Sequence, residues 1–122
     1  MRLIGRFQGK YGRIDIVERK ADGTRLYVEE GFLQSQATRH GDTPFQYVRL
    51  MVGILHQARN VLLLGCGGGT LATQLTRVGK QVRVVDRNPL SFQIAQRFFG
   101  MPEDIPCTTA DFLSFLHETN DT

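Results

Sequence analysis

The chain has 122 residues, of which 41% are hydrophobic and 22% are charged, with a formal net charge of +3. Its length is that of about one domain of ~100–200 residues, and this composition excludes a disordered or fibrous protein. The longest apolar run, from Val61 to Leu64, is far shorter than the ~20 residues of a membrane span, so we expect no membrane partner.

Charge and cysteine patterns argue against two further kinds of site. The arginines are scattered singly, without a basic stripe beside aromatic residues, which argues against nucleic acid as a partner. Cys66 and Cys107 have no His or Cys at a spacing that completes a metal site. We therefore expect free thiols, no metal and a cytoplasmic location.

Residues 1–43 predict a small β-meander. Four short stretches of apolar residues are separated by turn-forming residues, and Gly23 lies where a turn requires a positive φ. Thr43 and Pro44 then indicate a helix start, because a Thr cap followed by proline at the first helical position is favoured. We predict a linking helix within residues 44–59.

Residues 60–122 predict alternating strands and helices. A strand from Val61 enters a glycine-rich loop, a second strand ends at Asp86, and a third contains Pro106, whose missing amide hydrogen favours a sheet edge. This alternation implies right-handed crossovers and a parallel sheet ordered 3-2-1. The predicted fold class is α/β, a β-meander followed by half of a Rossmann-like sheet of the class I methyltransferase type.

A candidate ligand site lies at the carboxyl edge of this predicted sheet. Gly65, Gly67 and Gly69 alternate in the loop after the first strand, where a side chain would block a ligand from the backbone. Asp86 follows Gly65 at close to the ~20-residue offset at which a carboxylate reaches an adenosine ribose. Asp111, at the end of the third strand, either accepts from an adenine amine or caps the next helix.

The type of loop favours one ligand class over two others. Thr70 and Leu71 follow the last glycine, where an ATP-binding loop has Lys and Ser or Thr. The alternate glycines also fit a dinucleotide loop poorly and are closer to loops that hold S-adenosylmethionine. The alternatives are a loop that only permits tight packing and an Asp86 that only forms a turn.

The sequence resembles the spermidine synthases, or polyamine aminopropyltransferases, and in particular short bacterial spermidine-synthase-like members. The likeness runs over nearly the whole chain, in the order of its motifs. In the second half it lies in Val61–Leu71, Val84–Pro89, Phe98–Asp104 and Ala110–Leu116, and in the first half in Leu26–Val28, Gly31–Gln36 and Pro44–Gln46.

This resemblance implies an adenosyl-sulfur ligand, either decarboxylated S-adenosylmethionine or methylthioadenosine, with a polyamine as co-substrate. Asp86 then holds the ribose, Asp111 lies near the adenine amine, and the loop lies under the thioether. The ligand-binding residues it implies are Gly65, Cys66, Gly67, Gly68, Gly69, Asp86, Arg87, Ala110 and Asp111, and the residues on the polyamine side are Gln34, Phe45 and Gln46.

Three departures from the family pattern leave aminopropyl transfer open. The family's loop carries an aspartate where this chain has Gly68, and the family often has a tyrosine where this chain has Phe45. The family's catalytic aspartate follows a fourth sheet strand, which we do not find before Thr122, so no catalytic residue is assigned. The alternatives are an S-adenosylmethionine-dependent methyltransferase and a non-catalytic binding or assembly module.

A sheet without that fourth strand leaves its first strand as an open edge. Val61 to Leu64 is entirely apolar, and unpaired backbone groups on such a strand invite another strand. We expect a second copy of the chain, or a partner chain, to cover this edge.

Overall fold

A computed structural model describes residues 1–120 of the chain. The last two residues of the predicted segment 60–122 lie outside the described residues. None of the helices in the described part is both long enough and apolar enough to cross a membrane.

The amino-terminal part is an antiparallel sheet whose strands pair in chain order, as predicted for a meander. Tight turns join the strands, and Gly23 in the second turn has a φ of +73°. The pairing register shifts once along β1 and once along β3. The strands are β1 (Arg2–Gly9), β2 (Gly12–Glu18), β3 (Arg25–Glu29) and β4 (Phe32–Ala37).

One helix, α1 (Gln46–Ile54), lies within the predicted linking segment 44–59. It begins two residues after the predicted Pro44, because Thr43 organises the chain before the helix. The Thr43 hydroxyl donates to the Gln36 carbonyl at 2.7 Å and accepts from the Phe45 amide at 3.1 Å. Thr43 therefore ties the start of α1 to β4 without capping the helix itself.

The remaining residues form a parallel sheet with three helices, which confirms the predicted fold class. The central strand is β6, with β5 and β7 on either side, as in the predicted 3-2-1 order. Asn88 accepts from the Leu90 amide and precedes proline at the start of α3, as predicted. The elements are β5 (Asn60–Leu64), α2 (Thr70–Arg77), β6 (Gln81–Asp86), α3 (Pro89–Phe98), β7 (Cys107–Thr109) and α4 (Phe112–Asn120).

Helix α3 joins the two sheets because its opposite faces pack into different cores. Phe92 and Ala95 lie in the core of the parallel sheet, whereas Ile94 and Phe98 lie in a core with residues of the meander. Ile94 and Ala95 are both fully buried. Full burial of one large apolar side chain contributes about 1.5–3 kcal/mol, so α3 fixes the meander against the sheet and shapes the space between them.

The free side of β5 is an open sheet edge within the described part of the chain. Only β6 pairs with β5 there, so one row of β5 backbone groups is unpaired. Leu62 and Leu64 are 39% and 42% exposed.

Candidate functional site

The glycine-rich loop between β5 and α2 requires left-handed backbone. Gly65, Gly67 and Gly69 have φ values of +110°, +54° and +71°. A Cβ on Gly69 would lie 2.6 Å from the Met101 Sδ atom, closer than real Cβ contacts. Gly69 therefore packs against the protein, and a Cβ on Gly67 would lie 3.0 Å from the Ser35 Oγ atom, while both Gly65 and Gly67 line the space beside the loop.

Asp86, at the end of β6, is bonded to the main chain on both of its carboxylate oxygens. Its Oδ2 accepts from the Cys66 amide at 2.8 Å, and its Oδ1 accepts from the Asn88 amide at 2.9 Å. These bonds fix the carboxylate between the glycine-rich loop and the start of α3. An ionised carboxylate has about four acceptor positions, so two remain for a ligand.

A second contact ties the loop to the meander. The Ser35 hydroxyl on β4 accepts from the Gly68 amide at 2.9 Å, and both residues are buried. A Cβ on Gly68 would lie 2.9 Å from the Ser35 Cβ atom. Ser35 and a side chain at position 68 therefore compete for the same space, which accounts physically for glycine there.

Tyr27 on β3 makes a third contact between the two parts. Its hydroxyl lies 3.2 Å from the Ser91 hydroxyl of α3, and both groups are buried. Burial raises the pKa of Tyr27 far above its usual range, and the nearby charges of Glu29 and Asp86 raise it further, so the hydroxyl stays neutral.

These contacts enclose a cleft of about 390 Å³ between the meander and the carboxyl edge of the parallel sheet. The guanidinium of Arg87 lies 4.4 Å from the centre of the Tyr11 ring, so a cation–π contact crosses the cleft. The meander and α1 supply Tyr11, Tyr27, Glu29, Gln34, Ser35 and Tyr47, and the second half supplies Leu64, Gly65, Cys66, Gly67, Asp86, Arg87, Asn88, Ser91 and Phe112.

A smaller cavity of about 220 Å³ continues past the loop toward α2. It shares Ser35, Tyr47 and Gly65 with the cleft and adds Thr70, whose buried hydroxyl has no hydrogen-bond partner among the described residues. Buried polar groups are normally paired, so an unpaired hydroxyl beside an open cavity fits a site that a ligand completes.

The predicted site residues fall into four groups. Gly65, Cys66, Gly67, Asp86, Arg87 and Gln34 line the cleft, whereas Gly68 and Gly69 are buried behind it. On the polyamine side, Phe45 and Gln46 lie just before Tyr47, which is the residue of this segment that lines the cleft. The Phe45 and Tyr47 rings are 5.6 Å apart, so Phe45 supports Tyr47.

The other two predicted residues, Ala110 and Asp111, lie between β7 and α4. The Ala110 amide donates to the Asp86 carbonyl at 3.1 Å. Asp111 Oδ1 accepts from the Leu113 and Ser114 amides at 3.0 and 3.2 Å. Of the two predicted roles of Asp111, the structure shows the helix cap; a contact with adenine stays a prediction.

The two cysteines are free and partly buried. Burial is the main cause that raises the pKa of the Cys66 thiol, and the charge of Asp86 raises it further. Cys66 is therefore a protonated thiol in the cleft wall rather than a nucleophile. Among the described residues, no group of three or more His, Cys, Asp or Glu side chains is placed to hold a metal ion.

Sequence reasoning missed the cleft residues that the meander contributes other than Gln34, which the family resemblance implied. Tyr11, Tyr27, Glu29 and Ser35 come from separate strands and a turn, and no local pattern shows which of them meet the loop. One signal was available for Glu29, since side chains at alternate positions of a strand share a face. Once Tyr27 is assigned to the buried face of β3, the alternation places Glu29 on the same face.

Several solved structures are similar to this chain, among them three that are described as spermidine synthases or a probable one. A spermidine synthase in complex with the transition-state analogue AdoDATO has a TM-score of 0.76 and 17% identity, over 96% of this chain and 43% of that one. A spermidine synthase from Thermotoga maritima has a TM-score of 0.72 and 20% identity, with coverage of 96% and 43%. A probable spermidine synthase from Corynebacterium glutamicum has a TM-score of 0.70 and 16% identity, with coverage of 91% and 46%.

The sequence matches no family model and no curated protein. The chain spans less than half the length of each of these three synthases. At these identities the similarity is one of fold, and it agrees with the predicted meander and Rossmann-like half-sheet. The chain therefore has the fold of part of a spermidine synthase.

Proposed function

We propose that the cleft binds an adenosyl-sulfur ligand, either decarboxylated S-adenosylmethionine or methylthioadenosine, in a spermidine-synthase-like protein related to aminopropyl transfer. One observation carries the proposal: Asp86 and the bare main chain of Gly65 and Gly67 line the same cleft. It lies at the carboxyl edge of a parallel sheet, where α/β folds bind their ligands.

Asp86 has the geometry to hold the ribose. A vicinal diol offers two hydroxyl donors, and Asp86 keeps acceptor positions on both oxygens after its bonds to Cys66 and Asn88. Because those two bonds fix the carboxylate before a ligand arrives, little ordering is needed on binding. Charge-assisted bonds to an ionised carboxylate are about twice as strong as neutral ones, so Asp86 supplies the main polar anchor.

The rest of the ligand fits the surroundings of Asp86. The thioether lies against the main chain of Gly65 and Gly67, and the cleft volume of about 390 Å³ falls in the range of ~300–1,000 Å³ for small-molecule sites. Asp111 uses only Oδ1 for its helix cap, so Oδ2 stays available for the adenine amine. The complex of one similar synthase with AdoDATO, an adenosyl compound, supports this class of ligand.

In aminopropyl transfer, a neutral amine attacks the carbon beside the sulfonium in line with the C–S bond. The electron pair of that bond stays on sulfur, methylthioadenosine leaves, and the attacking nitrogen loses a proton. A base must first deprotonate the ammonium, and we assign no residue of this chain to that role. We therefore propose aminopropyl transfer to a polyamine without assigning its base. We also propose that Gln34, on the cleft wall, contacts the polyamine.

We also propose that a second copy of the chain covers the open edge of β5. The exposed leucines Leu62 and Leu64 and an unpaired row of backbone groups are the features that support an added strand.

Calorimetric titration tests the ligand proposal. We expect the native chain to bind methylthioadenosine more tightly than adenosylhomocysteine and not to bind NAD. Replacement of Asp86 by Asn removes the charge and one acceptor while keeping the shape, and it should weaken methylthioadenosine binding by about 30-fold. Asp104→Asn, an equal charge change at an exposed position outside the cleft, is the control.

Two outcomes would overturn the ligand proposal. The first is a native chain that binds neither adenosyl compound, and the second is an Asp86→Asn variant with native affinity. Diamine-dependent release of methylthioadenosine would support aminopropyl transfer, whereas release of adenosylhomocysteine from S-adenosylmethionine would show a methyltransferase. Binding without turnover of either kind would leave a binding module.

A further inference from the structure

Glu29 is the acidic residue of the meander that lines the cleft. It pairs in register with Ile14 of β2, and Ile14 is fully buried in the core against α3. Because opposed residues of neighbouring strands share a face, Glu29 lies on the inner face of the meander. It is half-buried at the end of β3, where that face opens into the cleft.

The carboxylate of Glu29 has no hydrogen bond and no ion pair with any described residue. Other acidic residues of the meander are paired: Asp15 with Arg6, Glu18 with Arg25, and Asp22 with Arg19. The neighbouring Glu30 accepts a hydrogen bond from the Arg13 amide. Glu29 is therefore a carboxylate at the cleft without a bonded partner among residues 1–120.

The charges around the cleft favour a cation. Glu29 lies on the meander side of the cleft and Asp86 on the sheet side, and the charges of both add to burial in raising the pKa of the Tyr27 hydroxyl. The one cationic residue that lines the cleft in the described part, Arg87, stacks on Tyr11 and forms no ion pair with either carboxylate. Asp86 is bonded to two main-chain amides, whereas Glu29 has no bonded partner among the described residues.

We propose that Glu29 binds an ammonium group in the cleft. This assignment rests on the proposed function, since Asp86 and the loop must hold the adenosyl part. The ammonium comes either from an aminopropyl arm on the sulfur or from a free diamine beside it. A carboxylate and an alkylammonium form a charge-assisted hydrogen bond in either case.

The test compares adenosyl thioethers with and without an ammonium, and the Glu29→Gln variant separates the effect of the ammonium from that of the longer alkyl chain. The first is methylthioadenosine, and the second is its aminopropyl thioether analogue, which carries an ammonium and no sulfonium. The third measurement adds 1,4-diaminobutane to the methylthioadenosine complex. We expect the native chain to bind the aminopropyl compound about tenfold more tightly than methylthioadenosine, or to bind the diamine only beside methylthioadenosine. The first result identifies the arm as the source, and the second identifies a free amine.

Glu29→Gln should abolish the response to the ammonium and leave methylthioadenosine affinity unchanged. Glu103→Gln, which removes an exposed charge outside the cleft, should behave as the native chain. Thermal melts establish that both variants fold. The assignment is overturned if Glu29→Gln still binds the aminopropyl compound or the diamine as the native chain does. It is also overturned if the native chain binds methylthioadenosine but shows neither tighter binding of the aminopropyl compound nor binding of the diamine. Failure of the native chain to bind methylthioadenosine at all overturns the proposed function, and the assignment with it.

Discussion

The parallel sheet has a cavity at each end, and the larger of the two is not the candidate ligand site. At the amino ends of the strands a cavity of about 590 Å³ is lined by residues such as Asn60, Gln81 and Pro106. The cleft at the carboxyl ends is smaller, about 390 Å³, but it contains Asp86, Glu29 and bare main chain. Chemistry distinguishes the two cavities better than volume does.

The reason lies in what builds each wall. The cleft forms where the meander meets the glycine-rich loop, so two parts of the chain place polar groups around it. Among the described residues, those that line the larger cavity all lie between 60 and 115, and they include Val61 and Leu62 of the open strand β5. It therefore resembles uncovered sheet surface more than a built pocket.

The largest expected difference between the two ends of the parallel sheet is the loss of stability caused by replacing a glycine with alanine. Gly69→Ala adds a Cβ 2.6 Å from the Met101 Sδ atom at a φ of +71°, so we expect a loss of about 3 kcal/mol in the free energy of unfolding. Gly79→Ala, at the amino end of β6, meets no atom within 4 Å and has a φ of +86°, so it should cost about 1 kcal/mol. Urea unfolding measures both values, and equal losses would contradict the close packing of the loop.

A smaller effect is expected from the buried hydroxyls of the two cavities. Ser35→Ala leaves the buried Gly68 amide without its acceptor, which should cost about 1–2 kcal/mol of stability and weaken methylthioadenosine binding. Thr76, at the larger cavity, has a buried hydroxyl without a partner among the described residues. Thr76→Val should therefore leave stability within about 0.5 kcal/mol of native, or raise it. Chemical denaturation measures the stability of both variants, and calorimetry measures the methylthioadenosine affinity of Ser35→Ala. If Ser35→Ala is as stable as Thr76→Val, the hydrogen bond between the Gly68 amide and the Ser35 hydroxyl does not stabilise the fold.

The open edge beside the larger cavity should take part in self-association. Leu62→Lys places a charge on the β5 edge, which should weaken dimerisation by about tenfold while methylthioadenosine affinity stays unchanged. Leu113→Lys, at a 79% exposed position of α4, is the control for added charge. Analytical ultracentrifugation over a concentration series gives the constants. A native chain that stays monomeric at high concentration would exclude the second copy.

Local signals predicted the carboxyl-edge half of this site better than the meander half. The glycine-rich loop and Asp86 follow from strand ends and spacing, and Asn88 with Pro89 marks the start of α3. Tyr27 and Glu29 depend on how α3 docks two sheets, which is a long-range packing result. At Thr43 the local prediction was inaccurate, because the pattern of Thr followed by Pro indicates a helix cap but does not show that the Thr43 hydroxyl bonds to β4. Helix α1 therefore begins later than predicted.

Acid should destabilise the meander wall of the cleft before it destabilises the residues around the larger cavity. We expect this effect to be smaller than those of the glycine, serine and leucine substitutions. A hydrogen bond from Arg19 lowers the pKa of Asp22 to about 2, and bonds from Arg6 and Arg25 lower the pKa values of Asp15 and Glu18. A lowered pKa contributes stability above the unfolded value near 4, and that contribution is lost as the pH falls toward 2.

All three carboxylates belong to the meander, which forms one wall of the cleft and none of the larger cavity. The melting temperature should therefore fall modestly between pH 4 and pH 2, and less so in high salt, because these exposed pairs are screened. Asp22→Asn should flatten part of that slope, whereas Asp104→Asn at the larger cavity should not. An unchanged slope in Asp22→Asn would show that the ion pair of Asp22 with Arg19 does not contribute to the acid dependence.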